Sequence, residues 1–243
     1  MNALSTGKNT ARWGFWMTCV WFVGYLLATQ VLLSVAVLLG LAWRADLPLR
    51  ESTLRYLVED SGVLLQVSLM VNVLSAPLIA LMVFSKKGSS WRDYMAWRGV
   101  SIWRVMLWCM LCVLAAYSMG ALHHLLGWPE SKFMGKMALI GSPMVMVLAV
   151  VVAAPIFEEM VFRGFMYGGF ERSMGAMPAV LLTSVIFAMM HAFQYNGYEL
   201  LHMLVLGLML GWARMRTQSI WVPIAMHAVN NGLSIAAFLL ESR

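Results

Sequence analysis

The sequence predicts an all-α membrane protein, a polytopic bundle of about seven transmembrane helices whose last four form a functional core. Three observations carry this. Of 243 residues, 61% are hydrophobic and 12% charged, far too little charge to cover a soluble domain of this length. Apolar runs near the ~20 residues that cross a bilayer recur along the whole chain. The charged residues gather mainly in the gaps between those runs.

Taken in order, the spans are expected at about 13–43, 61–84, 101–126, 143–169, 177–195, 199–215 and 218–239. The first is long enough to tilt strongly or to extend past the membrane, and it lacks a small-residue cleavage site, so it reads as a true span. The fourth opens on "GSP", where Ser142 can cap and Pro143 suits the first helical turn. Pro155 should kink that helix one turn before two glutamates, freeing a backbone carbonyl that the bundle interior must satisfy. No repeat, low-complexity tract or linker divides residues 1–243 into separate domains. Residues 1–140 carry little intramembrane polarity beyond Asn72 and His123/His124, and the chemistry is concentrated in 141–238.

The formal charge of +6 points to cytoplasmic loops, not to nucleic acid. With the N-terminus inside, Lys8, Arg12, the loop "SKKGSSWRDYMAWRG", Arg104, Arg163, Arg172, Arg214 and Arg216 fall on or near the cytoplasmic side. Arg44, Arg50, Arg55, Lys132, Lys136 and Arg243 fall on the other, offset by Asp46, Glu51, Glu59, Asp60, Glu130 and Glu241. This predicts N-in, C-out in a cell membrane. Cys19, Cys109 and Cys112 all lie in apolar runs. Although the last two are spaced C-x-x-C, they have no second ligand pair and read as small buried hydrophobes. No cofactor and no metal site is expected.

Ionisable residues inside spans usually face the bundle interior or a wet cavity, so each is a functional candidate. The fourth span holds Glu158, Glu159 and Arg163. Helical spacing stacks Glu159 under Arg163 at i, i+4 and turns Glu158 about 100° away. The fifth holds Phe187 and His191 at i, i+4, and the seventh holds Pro223, His227 and Asn231 on one stripe. A carboxylate and an imidazole can activate water, and a second imidazole with an amide can stabilise an oxyanion. These are the parts for hydrolysing a peptide bond without a covalent intermediate. Spacing does not decide which glutamate is the base; Glu158 is favoured because Glu159 has Arg163 as its partner.

The segments "EEMVFR", "FAMMH" and "HAVNN" resemble, in order, the E-E-x-x-x-R, F-x-x-x-H and H-x-x-x-N motifs of the CPBP family, the CAAX-protease and bacteriocin-processing enzymes also called Abi proteins. The resemblance covers about residues 140–238. It implies an intramembrane glutamate-type endopeptidase acting on a membrane-associated or lipidated peptide or protein in the bilayer. By that analogy Glu158 with His191 activates the attacking water, His227 with Asn231 forms the oxyanion hole, and Glu159 and Arg163 support the first motif.

Other readings compete. The Glu/His set could ligate zinc in a metalloprotease, though no H-x-x-x-H pair lies on one helix. A non-enzymatic transporter or peptide-binding immunity protein could use the same polar pocket, though neither an inverted repeat nor paired broken helices occur. His202 and His123/His124 fit interhelical bridges better than catalysis. Asn230 with Asn231 could be helix–helix glue, and Gly207 with Gly211 a close-packing pair.

Overall fold

The computed structural model describes residues 11–44, 50, 52, 61–128, 143–192, 194–195 and 197–241. The expected cap at Ser142 lies outside them, as do Lys8, Asp46, Glu51, Arg55, Glu59, Asp60, Glu130, Lys132, Lys136 and Arg243. Among the described residues the regular structure is helical throughout, with no strand. The first column comprises α1 (Phe15–Leu26), a π-helical stretch (Leu27–Leu33) and α2 (Ser34–Arg44). Then come α3 (Ser61–Phe84), the single turn α4 (Trp91–Tyr94) and α5 (Ile102–Leu125). The fourth column is built from α6 (Pro143–Met146), π-helix Val147–Ala153, α7 (Ala154–Glu159), π-helix Met160–Met166 and α8 (Tyr167–Met174). Three helices complete the bundle: α9 (Ala176–Met190), α10 (Gly197–Thr217) and α11 (Trp221–Glu241).

Among the described residues four helices are long and apolar enough to cross a membrane: Phe15–Trp43, Leu65–Phe84, Ile102–Leu125 and Met144–Met174. The remaining three expected spans differ for physical reasons. The α9 helix is apolar but has only 15 residues. Glu199, His202, Arg214 and Arg216 interrupt α10, and His227, Asn230 and Asn231 interrupt α11. Among these polar residues are His227 and Asn231 of the candidate site.

The fourth column is the hub. Met160 through Met166 are all buried, and their apolar members join one core with Phe22, Ile79, Met82, Tyr94, Phe170 and Phe187. Aromatic contacts tie this core across helices: Phe162 meets Phe22 at 5.9 Å and Phe187 at 5.2 Å, both edge-on. Tyr94 stacks flat on Phe165 at 5.6 Å. The stretch before α1 is pinned to the end of the hub: Arg12 pairs with Glu171 at 2.8 Å, and the Phe15 amide donates to Ser173 at 2.9 Å. Trp13 Nε1 donates to the Met82 carbonyl at 2.8 Å. Cys109 and Cys112 are free thiols on α5, with Cys112 buried against α11 near the Met226 carbonyl.

Two π-helical stretches bracket α7, and proline accounts for one of them. Pro155 has no N–H and cannot continue the ladder. Ahead of it the Ala154 amide reaches back to the Ala149 carbonyl, a five-residue step, and in that pattern the Val150 carbonyl would await the missing Pro155 N–H. Asn231 Nδ2, from α11, donates to it at 2.9 Å. The carbonyl expected to be freed by Pro155 is thus satisfied from another helix.

Candidate active site

The two glutamates close the six-residue α7 and the next π-helix begins at Met160. Glu159 points inward and is fully buried; its Oε1 accepts from Arg163 Nη1 at 2.9 Å and lies 2.9 Å from His227 Nδ1. Because a carboxylate only accepts, this contact fixes the His227 tautomer with a proton on Nδ1. The opposite edge of the same ring, Nε2, stands 4.0 Å from Glu158 Oε2. His227 therefore lies between the two carboxylates, bonded to one and facing the other.

Glu158 is the less buried of the pair, with 29% of its side chain exposed against 0% for Glu159. Its Oε2 has no hydrogen-bond partner among the described residues. The i, i+4 reading of Glu159 and Arg163 agrees with this geometry; Glu159 Oε2 likewise has no hydrogen-bond partner among the described residues. A separation of 4.0 Å is too long for a direct hydrogen bond and short enough for one oxygen to touch both groups.

His191 follows the last turn of α9, and its Nδ1 lies 2.8 Å from the Phe187 carbonyl. A carbonyl can only accept, so Nδ1 donates and the neutral ring presents its lone pair at Nε2. Phe187, fully buried, is the shared surface of the site: His191 packs on it at 4.8 Å and His227 edge-on at 5.7 Å. The Arg163 guanidinium lies 4.6 Å from the same ring, a cation–π contact in a desolvated setting. The three motifs thus meet around one phenyl ring. Asn231 stands at the edge, with Nδ2 on Val150 and Oδ1 accepting from Asn230 at 3.4 Å. His202 Nε2 reaches Asn230 Oδ1 at 3.5 Å, the interhelical bridge expected for it.

Some contributors carry no motif signal. The Gly207 carbonyl accepts from Arg163 Nη2 at 2.9 Å, a role no side chain advertises. Arg214, assigned by sequence to the cytoplasmic end, is fully buried, as is Arg163. Its Nε donates to the Arg163 carbonyl at 3.1 Å. Charge counting treats every arginine near a span end as a loop charge, so it could not separate these two. Among the described residues no three of His, Cys, Asp and Glu gather as a metal ion would require.

Gly207 also explains the close approach of α10 to α9. A Cβ there would lie 3.2 Å from Ser184 Cα and 3.3 Å from its carbonyl oxygen; these are backbone atoms that cannot turn aside. Gly207→Ala is expected to cost about 1–3 kcal/mol by overpacking, read by unfolding in detergent. At Gly211 a Cβ would lie 2.9 Å from Cγ1 of buried, β-branched Val180, so Gly211→Ala should cost a comparable amount.

The fold and this site together define a class: a helical integral membrane protein with paired carboxylates and two imidazoles gathered at one buried core. Residues 140–233 match the family model described as Rce1-like, type II CAAX prenyl endopeptidase. A stretch of 89 residues is 33% identical to the protein named "Putative membrane peptidase YdiL" of Bacillus subtilis (strain 168), covering 35% of this chain and 34% of that one. The chain thus aligns with about a third of that relative's length. No solved structure matches. Both sequence matches support the CPBP family of CAAX proteases.

Proposed function

We propose that this protein is an intramembrane endopeptidase that hydrolyses a peptide bond of a membrane-associated or lipidated peptide by glutamate- and histidine-activated water. The observation that carries the reading is the Glu158 carboxylate: partly exposed, without a partner at Oε2 among the described residues, and 4.0 Å from His227 Nε2. In a membrane protein such a carboxylate is costly unless it is used. The family match adds the CAAX-type activity as the expected class. Four helices suited to a bilayer among the described residues support a membrane setting, and the distribution of Lys and Arg favours an N-terminus on the cytoplasmic side of a cell membrane.

In the proposed reaction Glu158 takes a proton from water as the water attacks the scissile carbonyl. The lone pair at His191 Nε2 helps orient that water. His227, held through Nδ1 by Glu159, turns Nε2 toward the developing oxyanion and donates to it when that nitrogen carries a proton. The Asn231 carboxamide has two N–H donors and spends one on Val150, leaving the second for the same oxyanion. Glu158 then passes its proton to the leaving amide nitrogen, so acid and base are one group at successive steps. Glu159 and Arg163 hold the His227 ring in its orientation and take no proton.

The test is Glu158→Ala in the full chain reconstituted into lipid vesicles, with cleavage of a prenylated and an unmodified peptide measured beside peptide binding. Cleavage is expected to fall by about 10²–10⁴-fold with binding retained. Cleavage by the variant at the wild-type rate would falsify the glutamate mechanism. Thorough chelation should leave the wild-type rate unchanged; loss of activity restored by zinc would point to the metalloprotease instead.

A further inference from the structure

Arg214 is a buried guanidinium that the proposed chemistry does not use. Its residue exposure is 0%, and its Nη1 and Nη2 have no hydrogen-bond partner among the described residues. Burying an arginine on these terms is costly, which makes what it does touch informative. Its Nε donates to the backbone carbonyl of Arg163 at 3.1 Å. Its guanidinium carbon lies 5.0 Å from the Tyr167 ring, one turn further along the same column. The Tyr167 hydroxyl in turn donates to Glu171 at 2.9 Å, and Glu171 is paired with Arg12.

The carbonyl it reaches belongs to the π-helical stretch. In an α-helix the Arg163 carbonyl would accept from the Tyr167 N–H. Here that N–H is directed to the carbonyls of Phe162 and Gly164, and Arg214 supplies a donor from α10. The same helix takes the other end of Arg163: Gly207, two turns before Arg214, accepts from Nη2 at 2.9 Å. Thus α10 grips Arg163 by its backbone and by its side chain. Between those two grips Arg163 Nη1 reaches Glu159 Oε1, which also meets His227 Nδ1.

We propose that Arg214 is a positioning residue that fixes the π-turn at Arg163 and, through it, the Glu159–His227 contact. The inference rests on the peptidase reading for its effect on turnover, but not for its effect on geometry. Removing the Nε donor frees the Arg163 carbonyl to recapture the Tyr167 N–H. The stretch then tightens towards α-helical pitch and Arg163 rotates relative to Glu159. His227 loses its fixed orientation on Glu159, while the exposed face of Glu158 is untouched.

The experiment uses full-length Arg214→Met and Arg214→Lys, purified in detergent with ¹⁵N-labelled histidine. The His227 imidazole signals are assigned by their loss in His227→Gln, and folding is checked by the thermal midpoint. For Arg214→Met we expect shifted His227 signals and a kcat about tenfold lower per folded molecule, with KM within about twofold. Arg214→Lys, which keeps a cationic donor but loses the guanidinium at the Tyr167 ring, should fall between Arg214→Met and wild type. Wild-type His227 signals and kcat in folded Arg214→Met would overturn the proposal, as would a raised KM at unchanged kcat. Should Arg214→Met fail to fold, Arg214→Lys decides alone: moved His227 signals support the inference and wild-type signals reject it. A wild-type protein without peptidase activity would sink the functional reading, and the His227 signals would still decide this one.

Discussion

Arg163→Met is expected to destabilise the fold by about 3–5 kcal/mol, the cost of stranding one member of a buried ion pair. Glu159 has no exposed side-chain surface and loses its permanently charged partner, while the Gly207 carbonyl loses its donor. His227 remains beside the carboxylate but lies 2.9 Å from the same oxygen that served Arg163. The measurement is equilibrium unfolding in detergent micelles. A companion variant sharpens it: Arg163→Met with Glu159→Leu removes both charges, and a large part of the loss should return because an apolar pair needs no compensation. A single-variant loss below about 1 kcal/mol would show that the pair contributes no more than an exposed salt bridge.

The largest effect on chemistry after Glu158 is expected at His227. Among the described residues its ring is the group that touches the buried carboxylate and faces the other one. His227→Gln should lower turnover by about 10²–10⁴-fold at a KM close to wild type, because the lost interaction is made in the transition state. The matched control is His202→Gln. His202 contacts Asn230 at 3.5 Å, a weak bond at the edge of hydrogen-bonding range, and its substitution should change turnover by less than about threefold. Equal losses for the two histidines would mean that both act through helix packing. Initial rates on one peptide in lipid vesicles measure both.

The comparison of these two histidines shows where sequence reasoning reaches and where it stops. Each is an imidazole in an apolar helix, and hydropathy treats them alike. Spacing separated them, because His227 shares a stripe with Asn231 and follows two other motifs in order. Spacing also found Glu159–Arg163, since that pair is intrahelical and i, i+4 geometry is the same in any helix. It did not find His227 on Glu159, because their 68-residue separation is bridged only by the packing of α11 on α7. Nor did it find that Asn231 serves the Val150 carbonyl. The freed carbonyl was foreseeable from Pro155, but its donor depends on which helix lies alongside.

The amino-acid sequence by itself determined the helical class, the approximate limits of every described long helix, the intrahelical neutralisation of Glu159 and the three segments from which the candidate site is drawn. These follow from composition, local periodicity and covalent geometry, which act over a few residues. Only the tertiary structure decided that α10 grips Arg163 at both ends, that Arg214 near the end of an apolar segment is buried, and that His227 stands between the two carboxylates. Those outcomes depend on backbone carbonyls exposed by π-turns and on a glycine that lets two helices touch. Such groups have no side-chain signature, so their partners are fixed only when the helices pack.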